Sequence, residues 1–303
     1  MLSEPFTLSI AIRKFLSWAE RQLAPGTVTD YRRHLQRFLT AVGDLPVGEL
    51  RAHHLVSWGR TWHNIVAVQR CFNWLAEVEL LERSPFTRVR RPRPGRRRRT
   101  FTRAEFTRLL RAAALDFRRF LIALRETIAR PQEVRSLRWS EIETANPAVS
   151  IAHALVTGQA YFLQVEYKSR MRRSCPDEPR IIPISRRLGR LIARLAASSA
   201  EPKGEIFRTD RGAAWTKEAT RLRLARLRKR LGLGRDARGE QLVCYSVRHT
   251  AATAAAAGVR DRILADIMGH TNTRTTARYQ HLQVQHLTAA VDRLRPKKEI
   301  RSR

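Results

Sequence analysis

Residue types suited to chemistry on a phosphate group are concentrated near the end of the sequence. This stretch contains, in order, Arg248, His270 and Tyr279. A guanidinium group matches phosphate oxygens with paired hydrogen bonds, a histidine can donate another, and a phenol oxygen can act as a nucleophile. Tyr279 lies among Thr, Arg and His rather than among the apolar neighbours of a core tyrosine. Together these residue types are suited to chemistry on a phosphate group.

Two short helices are predicted to position these residues. Arg248 opens an Ala-rich segment of high helix propensity, and Gly258 ends it as a C-terminal cap would. A second pattern of apolar residues at helical spacing follows and ends at Gly269. His270 is therefore predicted to lie where a helix ends and the chain turns.

The same stretch resembles the C-terminal signature of the tyrosine site-specific recombinases, which include the phage integrase and Xer-type proteins. The resemblance lies in Arg248 within an R-H-T context, in the Gly269-His270 pair and in Tyr279. It implies that Tyr279 is the nucleophile and that Arg248 and His270 bind the phosphate under attack. The resemblance covers nearly the whole chain.

Two earlier parts of the sequence also match this family. The run IARPQEVRSLRW looks like the family's first arginine motif, with Arg130 beside a proline at a predicted helix start and Glu133 three residues later. Glu133 is expected to orient Arg130 through an ion pair. Lys168 ends a predicted strand in a chain with only seven lysines among 59 basic residues. The family places its catalytic lysine on such a β-hairpin.

The resemblance implies phosphoryl transfer without metal or cofactor. Arg130, Arg248 and His270 would stabilise the negative charge that develops on the phosphate oxygens. Attack by Tyr279 would leave a 3′-phosphotyrosyl link and a free 5′-hydroxyl. Lys168 would protonate the departing 5′-oxygen.

Tyr245 departs from the commoner pattern of the family, which has a histidine three residues before the second arginine. A phenol at this position can donate a hydrogen bond to the phosphate or to Tyr279. It is a poor base near neutral pH, because the ordinary pKa of a phenol is about 10. The sequence thus predicts an active enzyme in which general base catalysis here is weak or supplied by solvent. His249 is expected to be a structural residue of the R-H-T turn.

The composition indicates a polyanionic partner. Lys and Arg total 59 against 27 Asp and Glu, which gives a net charge of +32 and a pI near 11.7. Nucleic acid is the polyanion that most often engages a whole protein, and double-stranded DNA is the predicted partner. An arginine-rich genome composition is the alternative explanation of the charge. The hydrophobic content of 43% is ample for packed cores.

The periodicity predicts a mainly α protein with a small antiparallel β-sheet, divided into an N-terminal helical bundle and an α+β domain. Residues 1–86 are expected to form four helices, and PGTVTDYRRHLQRF resembles the SAM-like core-binding domain of the same recombinases. Residues 87–100 form a basic linker broken by Pro and Gly, although a nuclear-localisation signal has similar letters. Residues 101–285 are the predicted catalytic domain, and residues 286–303 the end of a helix and a basic tail.

Several local signals define elements within these domains. Thr27 is predicted to begin the second helix, after Pro25-Gly26 ends the first. Thr102 and Glu105 form a predicted capping box. Short strands are predicted at residues 147–152, 161–167 and 180–184, and further helices at 188–196 and 216–231.

Arginines on the second helix and in the linker are candidate DNA contacts. The candidates are Arg32, Arg33, Arg37, Arg96, Arg97 and Arg98. For the helix, an ordinary bundle with solvated arginines remains an equally simple reading.

The cysteines and the apolar runs predict a reduced intracellular protein. Cys71, Cys175 and Cys244 lack the short spacing of metal ligands. The sequence shows neither a signal peptide pattern nor an apolar run long enough to span a membrane. The expected location is the cytoplasm, in association with the nucleoid.

Two functions are consistent with these residues. The first is a site-specific DNA recombinase acting on paired sites as a homotetramer, or as a heterotetramer with a related recombinase. The second is a catalytically weak or inactive DNA-binding protein on the same scaffold, for which Tyr245 and the long hairpin after Lys168 are the arguments. A metal-dependent nuclease is disfavoured, because Asp and Glu are sparse near the motif.

Overall fold

The computed structural model describes most of the chain in six stretches. These are residues 6–59, 61–92, 98–164, 179–199, 202–256 and 258–270. The chain divides into two compact units, Met1–Arg96 and Arg97–Arg303, which are described separately.

The described part of the N-terminal unit contains four α-helices, which confirms the prediction from periodicity. They are α1 (Leu8–Gln22), α2 (Pro25–Val42), α3 (Ala52–Trp58) and α4 (Trp62–Glu77). Phe15, Phe38 and Phe72 lie fully buried between them. Gln69 on α4 is also buried, and its side-chain nitrogen donates to the carbonyl oxygens of Phe86 and Val89. The amide thereby fixes the segment that follows the bundle.

The start of α2 differs from the prediction. Pro25 was expected to end the first helix, but it is the first residue of α2, two residues before Thr27. Proline fits the first helical position because its fixed φ suits the helix and its missing N–H would have no intrahelical partner there. The chain instead leaves α1 at Leu23, whose backbone is extended.

The C-terminal unit is mainly helical with one antiparallel sheet, as predicted. Its described helices are α5 (Arg103–Ala112), α6 (Leu115–Thr127), α7 (Pro131–Ser136), α8 (Ile151–Thr157), α9 (Arg186–Ala197), α10 (Lys217–Arg230), α11 (Cys244–Ala255) and α12 (Asp261–Met268). Its strands are β1 (Ile142–Thr144), β2 (Ala160–Gln164) and β3 (Arg180–Pro183), in that order across the sheet. The predicted helices at 188–196 and 216–231 correspond to α9 and α10.

One sheet face closes the core of this unit. Phe162 on β2 pairs with Ile142 on β1 and with Ile182 on β3. All three side chains are buried, in a cluster that includes Phe117 and Phe120 of α6. Residues alternate between the two faces of a strand, so the side chain of Arg180 lies on the same face as Ile182.

The strand predicted at residues 147–152 is wrong. The backbone turns at residues 147–149 and α8 begins at Ile151, where Ser150 caps it by accepting a hydrogen bond from His153 N at 3.3 Å. The packing of α8 against α9, which buries Ala154 and Leu155, outweighs the local preference for a β-strand. The strand predicted at 161–167 is observed as β2, although residues 165–167 lie outside the described stretches.

The beginning of the C-terminal unit is tied to α11. The predicted capping box is present, since Thr102 N donates to Glu105 Oε2 at 2.8 Å and Glu105 N to Thr102 Oγ1 at 3.1 Å. Just before it, Phe101 N donates to Thr250 Oγ1 on α11 at 2.8 Å. The backbone N–H groups at residues 98 and 99 both donate to Glu240 Oε2.

Across the six described stretches, no helix combines the length and apolarity that crossing a bilayer requires.

The contact between α8 and α9 predicts a specific glycine requirement. A Cβ at Gly189 would lie 1.7 Å from the carbonyl oxygen of Leu155. We expect Gly189→Ala to lower the free energy of unfolding by roughly 1–3 kcal/mol, because the helices must move apart. Urea denaturation measures it.

Gly26→Ala is the matched control, since no atom lies within 4 Å of a Cβ there. It should be neutral or stabilising by up to ~1 kcal/mol, because alanine favours a helix. Equal destabilisation by both substitutions would contradict the packing argument.

Candidate active site

Arg130 is held at the start of α7, as the sequence predicted. It is the N-terminal cap of that helix and Pro131 is the first helical residue. Two residues earlier, Ile128 has a left-handed backbone with φ +52°. This conformation is unfavourable for a β-branched residue, so the surrounding structure must impose it. It turns the chain sharply between α6 and Arg130.

Glu133 is the central acidic residue of the site. Its side chain is 1% exposed, and its Oε1 accepts a hydrogen bond from Arg130 Nη1 at 2.7 Å. Its Oε2 accepts one from the backbone N–H of Arg130 at 2.8 Å. The ion pair expected between these residues is therefore present, and it fixes the Arg130 side chain against its own helix.

Arg248 reaches the same carboxylate from α11. Its side chain is fully buried, and its Nη1 lies 4.0 Å from Glu133 Oε2. Its Nη2 donates to the carbonyl oxygen of Met268 at 2.8 Å and lies 3.3 Å from His270 Nε2. Arg248 therefore connects the buried carboxylate to the end of α12.

The end of α12 fixes the place of His270. Gly269 has a left-handed backbone with φ +62°, the usual conformation of a helix C-terminal cap. The backbone N–H of His270 donates to the carbonyl oxygen of Ala265 at 2.9 Å, and Arg130 Nη2 donates to that of Gly269 at 3.1 Å. His270 thus follows the end of a helix, as predicted, beside both arginines.

Arg180 is a member of this cluster that the sequence reasoning did not select. It begins β3, is 1% exposed, and its Nη2 lies 3.6 Å from Glu133 Oε2. The same nitrogen donates to the carbonyl oxygen of Ile267 at 2.9 Å. The alternation of RIIPI could have indicated it, because an arginine two residues before Ile182 shares the buried face of the strand.

Arg180 and Arg130 keep Glu133 ionised. Burial alone would raise the pKa of the Glu133 carboxyl, but the guanidinium groups of Arg180 and Arg130 and the hydrogen bonds from Arg130 lower it below its ordinary value. Among the described residues, three guanidinium groups lie against one carboxylate, which leaves this part of the cluster with an excess of positive charge. Such a cluster is suited to binding an anion.

Tyr245 and His249 lie beside Arg248 on α11. The Tyr245 side chain is 37% exposed, and its ring centroid is 5.8 Å from the Arg248 guanidinium carbon. The ring of His249 packs edge-on against Tyr245, with centroids 4.8 Å apart. This places a phenol next to the second arginine, where the family's commoner pattern has histidine.

The described stretches exclude several of the predicted site residues. Lys168, Tyr279, Arg96 and Arg97 lie outside the described residues. The structure brings together Arg130, Glu133, Tyr245, Arg248, His249 and His270.

The remaining candidate DNA contacts are exposed. Arg32, Arg33 and Arg37 lie on the surface of α2, where Arg32 contacts Glu20 and Arg33 Nη2 lies 2.9 Å from Asp30 Oδ1. Arg98 is also exposed.

The two described cysteines are free thiols. Burial raises the pKa of Cys71, and it raises the pKa of Cys244 to about 11. Both are therefore protonated near neutral pH. Cys175 lies outside the described stretches. Where side chains are described, no group of three or more His, Cys, Asp or Glu residues is arranged to hold a metal ion.

Comparison with protein families assigns most of the C-terminal unit. The model of the phage integrase family matches residues 99–286. The tyrosine recombinase XerC of Erythrobacter litoralis is 27% identical over 308 residues, covering 95% of this chain and 92% of that protein. The XerC protein of Pseudomonas fluorescens is 25% identical over 299 residues, with coverage of 92% and 93%.

Solved structures share the fold. A lambda integrase dimer bound to a COC′ core site aligns with a TM-score of 0.71 at 14% identity, covering 91% of this chain and 77% of that one. The Tn1549 transposon integrase in complex with transposon right end DNA aligns with a TM-score of 0.67 at 14% identity, covering 94% and 99%. These similarities confirm the predicted fold class.

The buried carboxylate predicts a pH-dependent stability. We expect Glu133→Gln to lower the free energy of unfolding at pH 7 by about 3–5 kcal/mol, because it leaves buried guanidinium groups without their counter-ion. The folded-state pKa of Glu133 lies below the ordinary 4.5, so its contribution is present above that value and is lost as the pH falls through the folded pKa. Urea unfolding from pH 7 to acidic pH should show the two proteins converging.

Glu143→Gln, on an exposed position of β1, is the control. It should leave the unfolding midpoint unchanged at neutral pH. A difference between wild type and Glu133→Gln that stays constant into acid would contradict the role of the ionised carboxylate.

Proposed function

The chain belongs to the phage integrase family and is a tyrosine-type DNA breaking and rejoining enzyme, and we propose that it recombines DNA at specific sites through a 3′-phosphotyrosyl intermediate. The supporting observation is the convergence of Arg130, Arg248 and His270 at the end of α12. Arg130 caps α7, Arg248 lies on α11 and His270 follows the end of α12. No core requires such a gathering of cations, whereas a scissile phosphate does.

The proposed role of the two arginines is to stabilise charge on the phosphate. During attack on phosphorus, negative charge grows on the non-bridging oxygens, and guanidinium groups held in place by Glu133 need little reorganisation to bind it. His270 supplies a further hydrogen bond from the helix end. The loss of one aligned donor of this kind typically costs on the order of 10²–10³ in rate.

The proposed bond exchange involves Tyr279 and Lys168. The phenol oxygen of Tyr279 bonds to phosphorus as the bond to the 5′-oxygen breaks, and that oxygen takes a proton from Lys168. The phosphotyrosyl link keeps the energy of the phosphodiester. A second 5′-hydroxyl can therefore reverse the step and join a new partner strand. No metal or cofactor takes part in this scheme.

Tyr245 gives this site a distinctive proposed chemistry. Its exposed phenol beside Arg248 can donate a hydrogen bond to the phosphate or to the nucleophile. Because a phenol is a poor base near neutral pH, the proton of the nucleophile passes to solvent or another group.

The proposed assembly is a tetramer on two DNA duplexes. Solved lambda integrase structures of the same fold include a dimer on a core site and a tetramer on a Holliday junction. For this chain we assign residues 1–86 to a core-binding domain, 87–100 to a linker along the phosphate backbone, 101–285 to the catalytic domain and 286–303 to a helix end and tail. A homotetramer, or a heterotetramer with a related recombinase, would work on the nucleoid in the cytoplasm.

One observation favours a second function. Arg248 is fully buried and donates to the Met268 carbonyl oxygen, so its guanidinium also stabilises the contact between α11 and the end of α12. A DNA-binding protein without strand cleavage would keep such an arginine. Formation of a covalent adduct on DNA distinguishes the two functions. Cleavage of the duplex without an adduct, and lost in chelator, would instead indicate a metal-dependent nuclease.

The nucleophile assignment predicts the result of a trapping experiment. Sequencing of junctions formed in cells expressing the protein identifies the recombination site, and a nicked duplex carrying that site traps the intermediate. We expect wild type to form a covalent protein–DNA adduct and Tyr279→Phe to form none, because phenylalanine lacks the attacking oxygen.

Tyr161→Phe, on β2, is the matched control and should form the adduct at the wild-type rate. DNA binding by Tyr279→Phe should be unchanged in a mobility-shift assay. An adduct with Tyr279→Phe would disprove the assignment, and DNA binding by wild type without any adduct would support the non-catalytic function.

The hydrogen-bonding role of Tyr245 predicts a slower reaction for one substitution and a nearly unchanged rate for another. We expect Tyr245→Phe to slow adduct formation roughly ten- to a hundredfold, the usual cost of a lost hydrogen bond to a charged group. Tyr245→His, which restores a donor, should leave the rate close to wild type. A single-turnover time course measures both. A large acceleration by Tyr245→His would instead show that proton transfer at this position limits the reaction.

A further inference from the structure

We propose that Arg180 is a positioning residue of the active site, which sets the place of His270 by supporting the end of α12 and the Glu133 carboxylate. It would act through these groups and not by contact with DNA. The inference rests on the proposed function, because His270 is the group whose position matters for cleavage.

The burial of Arg180 requires an explanation. Its side chain is 1% exposed, on the strand face that carries Ile182 into the core. A buried guanidinium is unfavourable unless it is paired and hydrogen-bonded, and an aliphatic residue would fill the same face without that cost. Two of the contacts that compensate it lead toward the site: the Glu133 carboxylate and the carbonyl oxygen of Ile267.

The guanidinium of Arg180 also packs directly against Gly269. A Cβ added to Gly269 would lie 1.4 Å from Arg180 Nη1, and the left-handed φ of +62° disfavours a side chain there as well. The Gly269 turn immediately precedes His270. Contact between Arg180 and this turn therefore restrains the backbone from which the His270 ring projects.

Three successive carbonyl oxygens at the end of α12 each accept a hydrogen bond from a different arginine. Arg180 binds that of Ile267, Arg248 that of Met268 and Arg130 that of Gly269. These carbonyls carry the partial negative charge of a helix C-terminus, which favours cations. Arg180 is the contact from the sheet, so it links the β-hairpin to the same helix end that α7 and α11 hold.

Glu133 gives Arg180 a second route to the site. Arg180 Nη2 lies 3.6 Å from Glu133 Oε2, the oxygen that also accepts the backbone N–H of Arg130. Arg180 also helps to lower the pKa of this carboxyl, which burial would otherwise raise. A change at Arg180 would therefore disturb the orientation of Arg130 as well as that of His270.

The first test needs no DNA and measures the position of the His270 ring. In protein labelled at histidine, the ring signal that disappears in His270→Ala is the His270 signal. We expect Arg180→Met to shift or broaden it, whereas Ile182→Val, a conservative core change on the same strand, should lower the melting temperature and leave the signal in place. An unshifted signal in folded Arg180→Met would overturn the proposal.

The second test measures single-turnover cleavage of the nicked duplex that carries the identified site. Arg180→Met should slow cleavage by roughly 10²-fold, the scale of a misplaced catalytic group, while its affinity for the duplex stays within about twofold of wild type. Ile182→Val should cleave at the wild-type rate. Weaker DNA binding with an unchanged cleavage rate would contradict a positioning role.

A double-mutant cycle separates positioning from a general loss of structure. If Arg180 acts mainly through His270, Arg180→Met should slow a His270→Ala protein by no more than about tenfold, well short of its effect in wild type. Losses that multiply fully would show that Arg180 acts independently of His270, and would overturn the proposal.

Arg180→Lys covers the case in which Arg180→Met does not fold. It keeps the charge but replaces a planar fork with a single ammonium group. We expect a shifted His270 signal and a cleavage rate between those of wild type and His270→Ala. Wild-type values for both would refute the need for a guanidinium. If wild type itself forms no adduct, the proposed function fails, while the histidine signal still reports on Arg180.

Discussion

The buried carboxylate of Glu133 holds the described arginines of the site together. Glu133 lies within 4.0 Å of guanidinium nitrogens from Arg130, Arg180 and Arg248, which would otherwise repel one another inside the protein. Attraction between opposite charges is strong where water is excluded. It must offset the loss of hydration of the carboxylate and of each guanidinium group. The positions of α7, β3 and α11 relative to one another are therefore coupled through one side chain, and the orientation of the arginines follows from it.

Much of this arrangement could be read from the sequence because local signals specify it. Pro131 marks the helix start at Arg130, and the Gly269 turn marks the helix end before His270. Both signals depend on backbone preferences that act over a few residues. Tertiary contacts therefore did not override them. The spacing of Arg248 and His270 placed them on neighbouring helices, and the fold brings them to 3.3 Å.

The features that were missed depend on contacts between distant segments. Residues 151–157 form α8 because a partner helix covers its apolar side, which β-propensity cannot reveal. Arg180 is 47 residues from Glu133 in the chain, so no pattern within a few residues shows that the two side chains meet. Its alternation with Ile182 indicated a buried position, but its partners could be known only from the fold. The same holds for Tyr245. The sequence showed a tyrosine where the family commonly has histidine, but only the fold shows that its ring packs against His249 and Arg248.

The attachment of residues 98–101 to α11 and to Glu240 in the preceding loop has a practical consequence for dividing the protein into fragments. Three backbone N–H groups of this short segment are satisfied by Glu240 and Thr250, far along the chain. A shortened C-terminal fragment that starts at the capping box would lack these donors. The helix that bears Arg248 would then lose its hydrogen bond from Phe101 N to Thr250 Oγ1. A fragment intended for crystallisation should therefore begin upstream of Arg98, even though the recognisable helical pattern starts later.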